Sequence, residues 1–281
     1  MHELRAIILA GGKGKRMRSD LPKVLHRLHG KPLIQHAIDN VRAAGIDDII
    51  VVVGFGREQV MAELGAQVRY AVQEQQLGTG HAVQQALPLL ADATGAVVIC
   101  YGDMPLLSPA TIRALVAAQQ APGVAGAILT VVLDNPPDFG RIVRDAAGQV
   151  QRVVEVRDCT PEQLALREVN VGVYCFDVAA LRWALPRLRN ENAQREYYLT
   201  DVVELLARAG QRIETVCTAN LEETLGINDQ AHLEFAERLR DIAYAESLYE
   251  LIDAVVALER AQRARGHGAD AGEQGRSSPP G

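Results

Sequence analysis

The sequence lacks the marks of a secreted, membrane-spanning or nucleic-acid-coating protein. Cysteine is scarce: Cys100, Cys159, Cys175 and Cys217 form no C-x-x-C pair, which argues against a disulfide scaffold and a sulfur-ligated metal. Three of the four sit in apolar stretches and are predicted to be reduced core residues. No apolar run approaches the roughly 18–20 residues of a membrane span, and the N-terminal run AIILA leads into glycines and cations rather than a cleavage site. Excess positive charge is absent too, since the net charge is −6, so no nucleic-acid partner and no membrane partner are expected. Hexapeptide repeats, a Ser-His-Asp order and a nucleophile elbow are all missing, which leaves covalent catalysis without support. The expected setting is the cytoplasm.

What is present is a chain of 281 residues, 48% hydrophobic, enough for one large domain with an appendage. Short, β-branched apolar runs recur at 5–10, 49–54, 68–72, 96–102 and 126–132, as strands buried on both faces should. Helical stretches alternate with them, which predicts the α/β class with a mainly parallel sheet and ligands at the strands' carboxyl ends. After residue 140 the alternation in GRIVRDAAGQVQRVVEV predicts a β-hairpin insertion. A strand at 169–176, helices over 177–188 and across EYYLTDVVELLARAG, and a strand at RIETVC follow. The predicted organisation is a catalytic-type domain over 1–228, a C-terminal helical arm over 229–264 and a polar, disordered tail over 265–281.

Four clusters stand out. The stretch LAGGKGKRMRSDLPKVL follows the first strand; its glycines let backbone N–H groups approach a phosphate, and Lys13, Arg16 and Lys23 supply charge. Neither common phosphate-loop pattern fits, because Arg16 follows Gly14-Lys15 and Met17 stands where a last glycine belongs. In QEQQLGTGHAV, Gln73 offers a donor and an acceptor in one plane, suited to a base edge; alternatively Thr79 is simply a helix N-cap. His81 lacks a partner that would make it a base, and reads as structural or as a support for a residue that touches the ligand. In YGDMPLL, Asp103 at a strand's carboxyl end suits a hard divalent cation, with Ser108 available to cap the next helix. The fourth cluster is scattered: Gly140-Arg141, Glu155, Asn170 and Asn228 are polar positions in apolar context.

Taken in order, LAGGKGKRM, DLPK, QLGTGHAV, YGDMPLL, GRIVRD, EVNVGVY, NENAQREYYLTD and GIND closely resemble the uridylyltransferase domain of the bacterial bifunctional N-acetylglucosamine-1-phosphate uridylyltransferase/glucosamine-1-phosphate acetyltransferases. The resemblance covers roughly residues 4–230. It implies a Rossmann-like nucleotidyltransferase fold and the partners UTP and N-acetylglucosamine 1-phosphate, joined to give UDP-N-acetylglucosamine and pyrophosphate. By the same resemblance Leu9, Ala10, Gly11 and Gly12 line the nucleotide, Gln73, Gly78 and Thr79 read the uracil, and Lys23 and Arg16 are catalytic. Asp103 and Asn228 hold Mg²⁺, while Tyr101, Gly140, Glu155 and Asn170 embrace the sugar. Three positions depart from the family: Lys15 and Val171 replace threonines, and Arg195 replaces a glycine. No hexapeptide repeat follows, so no acetyltransferase activity is expected and no trimer is implied.

Overall fold

The computed structural model describes residues 3–239 and 241. In chain order the strands are β1 (Leu4–Ala10), β2 (Arg27–Leu28), β3 (Lys31–Pro32), β4 (Asp48–Val53), β5 (Arg69–Val72), β6 (Ala96–Tyr101), β7 (Val124–Val132), β8 (Arg141–Arg144), β9 (Val150–Val154), β10 (Glu168–Asp177) and β11 (Arg212–Cys217). The helices are α1 (Leu33–Ala43), α2 (Arg57–Leu64), α3 (Thr79–Ala86), α4 (Pro109–Gln119), α5 (Pro161–Leu164), α6 (Val178–Ala184) and α7 (Asp201–Arg208).

The main sheet runs in the order β11-β7-β10-β6-β1-β4-β5. β1 pairs in parallel with β4 and β6, and β4 with β5, whereas β10 runs antiparallel between β6 and β7. The predicted hairpin is β8 and β9, tied to the sheet where Arg141 of β8 pairs with Val169 of β10.

Why the strands read as unbroken apolar runs is plain from their packing. Ala6, Ile8 and Ala10 of β1 enter one apolar cluster and Ile7 and Leu9 the other; β4 and β6 divide in the same way. A period of two between two covered faces leaves no polar face to write into the sequence.

Two expectations are corrected. Residues 196–200 are not helical, because Tyr197 N–H donates to Leu77 O and Tyr197 O accepts from Gly80 N–H, both at 2.8 Å, so α7 starts only at Asp201. Among the cysteines, Cys100 and Cys175 are buried, but Cys159 is half-buried and Cys217 exposed; all four are free. One compact unit ends at Leu233 and a second begins at Glu234. Residues 230–239 of the predicted arm are helical; the rest of the arm past 241 and the predicted tail lie outside the described residues.

Candidate active site

The carboxyl end of β1 opens into the glycine-rich loop, and a cavity of about 260 Å³ lies against it. Leu9, Ala10, Gly11, Gly12, Lys23, Gln73, Gly78, Thr79, Tyr101 and Asp103 all line this cavity, together with Gln76 and Glu196. Lys23 is seated by its neighbours. Gly14 has φ +57°, and a Cβ there would fall 2.6 Å from Lys23 Cβ, while Pro22 packs against Gly56 so closely that a Cβ on Gly56 would lie 2.4 Å from Pro22 Cγ. Glycine at both positions is therefore a condition for where Lys23 stands.

From there Lys23 Nζ donates to Asp103 Oδ2 and, at 3.1 Å, to Asn228 Oδ1. Asn228 is oriented by its own turn, since its Nδ2 donates to Gly226 O at 3.0 Å, leaving the amide oxygen toward Lys23. The Asp103 backbone carbonyl accepts from Ile227 N–H at 2.8 Å, which ties the two segments together. An ammonium thus sits between the carboxylate and amide oxygens that resemblance assigned to a metal, so these residues suit a hard cation. Among the described residues no group of three or more His, Cys, Asp or Glu side chains is arranged to hold an ion. A cation held by Asp103 and Asn228 would need further ligands from water and substrate.

The sugar-side candidates also converge. The Tyr101 ring lies on Gly172, whose φ is +90° and whose Cβ would fall 2.8 Å from Tyr101 Cε2. Burial raises the Tyr101 phenol well above its ordinary range, helped by the charges of Glu155 and Asp103. The phenol therefore stays protonated at the edge of the cavity it lines. A Cβ on Gly140 would lie 2.8 Å from Val153 Cγ1 and 3.7 Å from Glu155 Cδ, and the Gly140 carbonyl accepts from Asn170 N–H at 2.8 Å. The Asn170 amide is held at both ends, donating to Tyr174 Oη at 2.7 Å and accepting from Gly172 N–H at 3.0 Å.

Burial raises the Glu155 carboxyl, partly offset by a hydrogen bond from Thr200 and reinforced by Asp158 and Glu196. That bond runs from Thr200 Oγ1 to Glu155 Oε1 at 3.0 Å. A wider cleft of about 730 Å³ adjoins Glu155 and includes Asp158, Tyr198, Asp201 and Glu204. There burial, with Glu204, Glu155 and Asp158 nearby, pushes Asp201 up to about 6.

Some residues stand elsewhere or do something else. Arg16 is exposed in the 3₁₀ turn Lys15–Met17 and does not line the cavity; its charge reaches Asp229, whose carboxyl is held low chiefly by the backbone of His232. Thr79 is not an N-cap: Gly78 caps α3 at φ +113°, and Thr79 Oγ1 accepts from Leu199 N–H at 3.1 Å. His81, read from sequence as lacking a partner, meets Gln73 Nε2 at 3.1 Å through Nδ1. Val171 belongs to an apolar core cluster, so its departure from the family alters the core. Arg195 has φ +55°, a left-handed conformation that favours the glycine the resemblance implies there.

Sequence reasoning missed Gln76 and Glu196 as lining residues, Thr200 as the partner of Glu155, and Gly172 as the seat of Tyr101. Gln76, Glu196 and Thr200 lie inside motifs already singled out, so proximity in the motif was the available signal. Gly172 lies inside EVNVGVY too, and its own signal was a lone glycine in a strand.

Residues 6–137 match the MobA-like NTP transferase domain. The chain is 47% identical over 237 residues to a bifunctional protein GlmU of Brevibacillus brevis, covering 84% of this chain and 51% of that protein. It is 50% identical over 260 residues to the GlmU of Burkholderia lata, covering 92% and 56%. The chain thus spans about half the length of the curated relatives it matches. A crystal structure of a Bacillus anthracis protein, provisionally assigned as a glucose-1-phosphate thymidylyltransferase, superposes with a TM-score of 0.69 at 20% identity, covering 84% of this chain and 94% of that one. At that identity the likeness speaks for the fold alone, a nucleotidyltransferase sheet flanked by helices. The chain belongs to the nucleotidyltransferase family represented by the N-terminal domain of the GlmU proteins.

Proposed function

We propose that the chain transfers a uridylyl group from UTP to N-acetylglucosamine 1-phosphate, giving UDP-N-acetylglucosamine and pyrophosphate. The observation that carries this is the cation-bearing trio of Lys23, Asp103 and Asn228 at the mouth of a glycine-lined cavity that also holds Gln73. The cavity offers backbone groups and a planar amide for a base on one side. On the other, Tyr101 leads to Glu155, Gly140 and Asn170 for a sugar.

The chemistry asks little more. A sugar phosphate is already a nucleophile at neutral pH, so no general base is required; the obstacle is bringing one anion onto another. Holding the two phosphates in line and neutralising their charge is the main task. Lys23, released from Asp103, places its ammonium on the nucleotide phosphates, and Arg16 offers charge to the departing pyrophosphate from the loop's outer turn. The in-line attack forms a bond from the sugar phosphate oxygen to the α-phosphorus and breaks the bond to the bridging oxygen of pyrophosphate. Mg²⁺ held by Asp103 and Asn228 would supply further charge neutralisation at the phosphates. Glu155, half committed to Thr200, and the fixed amide of Asn170 receive sugar and acetamido groups by hydrogen bonds.

Incubation with UTP, N-acetylglucosamine 1-phosphate and Mg²⁺, with products identified by mass spectrometry, tests the reading. UDP-N-acetylglucosamine supports it; unchanged substrates refute it.

A further inference from the structure

The mechanism above makes no use of His81, the third residue of α3, yet its ring touches a base-facing side chain. Gln73 Nε2 donates to Gly78 O and to His81 Nδ1, each at 3.1 Å. A backbone carbonyl only accepts, so Gly78 requires the nitrogen end of the Gln73 amide there, and the second amide hydrogen requires His81 Nδ1 as an acceptor. Amide orientation and imidazole tautomer are both assigned from this network. Both hydrogens of Gln73 are thereby committed. Its Oε1 accepts no hydrogen bond among the described residues and borders the cavity, where a Cβ on Gly11 would lie 3.1 Å from it.

The imidazole is itself held. Its ring packs on Tyr197 with centroids 6.2 Å apart and a 33° tilt, and Tyr197 is pinned by its backbone bonds to Leu77 and Gly80. The other ring nitrogen, Nε2, carries the hydrogen when Nδ1 accepts; it lies 3.2 Å from Gln85 Nε2, which donates to the His81 carbonyl at 3.1 Å, so Gln85 holds the backbone of this turn rather than the ring.

We propose that His81 is a specificity-determining positioning residue, which by accepting from Gln73 Nε2 holds Oε1 toward the base and so selects a pyrimidine carrying a hydrogen on N3. The inference rests on the uridylyl reading above and deepens it. Uracil and thymine carry that hydrogen and donate to Oε1. Cytosine presents a lone pair at N3, so two acceptors face each other and one buried polar group goes unpaired. Without His81, the Gln73 amide is held only by Gly78 and can turn its NH₂ toward cytosine N3.

The test compares kcat/KM for UTP, dTTP and CTP in the wild type, His81→Ala and His81→Asn, with thermal melting to confirm folding and calorimetric binding of UMP and CMP as a second readout. His81→Ala is expected to narrow the UTP-over-CTP preference about tenfold, the scale of one unmade buried hydrogen bond. The UTP-over-dTTP ratio should stay put, since both bases carry the N3 hydrogen, and His81→Asn, whose Oδ1 still accepts, should restore the wild-type preference. An unchanged UTP-over-CTP ratio in His81→Ala, or a dTTP ratio that moves with it, overturns the proposal. A wild type that releases no pyrophosphate from UTP refutes the functional reading instead; the UMP and CMP affinities then decide the role of His81 alone, through whether His81→Ala loses a preference for UMP.

Discussion

The two halves of the cleft are built from different materials. The half proposed for the nucleotide stands on the carboxyl ends of the parallel strands β1 and β6 and presents glycine backbone beside Gln73, with one cation locked between Asp103 and Asn228. The half proposed for the sugar stands on the antiparallel pieces, the β8–β9 hairpin, the bulged β10 and the start of α7, and presents side chains that already bond one another: Asn170 to Tyr174, Glu155 to Thr200. A half resting on glycine backbone and one ion pair is expected to tolerate many substitutions and to fail outright at a few. A half made of interlocked side chains changes its preference by degrees.

The sharpest way to break that contrast is at Lys23 and Asp103. Either residue replaced by alanine is expected to lower turnover by about a thousandfold or more, because charge stabilisation aimed at the reacting phosphates is lost; pyrophosphate release, with circular dichroism to show an intact fold, measures it. Gly14→Ala strikes the same point indirectly. Its Cβ would fall 2.6 Å from Lys23 Cβ in a left-handed conformation, and a displaced lysine is expected to cost about a hundredfold in kcat.

In the sugar half the effects should be smaller and confined to one substrate. Glu155→Gln is expected to raise KM for the sugar 1-phosphate about tenfold, the scale of a hydrogen bond to a charged group, with KM for the nucleotide little changed. Initial rates with each substrate varied in turn separate the two.

Much of the nucleotide half was legible in the sequence because its signals are local: a glycine loop after a β-branched strand, and an aspartate leaving the next buried strand. What was not legible depends on distant residues meeting. Lys23 and Asn228 are 205 positions apart, and no spacing rule joins them. Residues 196–200 look helical by composition, yet the Tyr197 backbone is spent on Leu77 and Gly80, which also explains why the LGTGHA and REYYLTD segments belong together. Thr79 reads as a cap by residue type, but Gly78 at φ +113° takes that position and frees the hydroxyl for Leu199. The seat of Tyr101 on Gly172 depends on a bulge in β10, for which a lone glycine in a strand is only a faint sign.

Two finer effects are expected at Asp201 and Arg195. Asp201 is raised from 3.8 to about 6 by burial and by Glu204, Glu155 and Asp158. The folded state holds that proton more tightly than the unfolded chain does, so this contribution is full below about pH 4 and lost as pH rises through about 6. Asp201→Asn should therefore melt progressively higher than the wild type as pH goes from 4 to 7, in paired thermal melts. The smallest effect is at Arg195, where φ is +55°: Arg195→Gly relieves a left-handed side-chain conformation and is expected to stabilise by about 1 kcal/mol in a denaturant titration.

The most direct measurement is pyrophosphate release in Mg²⁺ with UTP, dTTP or CTP crossed against the 1-phosphates of N-acetylglucosamine, glucose and N-acetylgalactosamine. Release confined to UTP with N-acetylglucosamine 1-phosphate is the predicted result. Release with another pair, or with none, would contradict it.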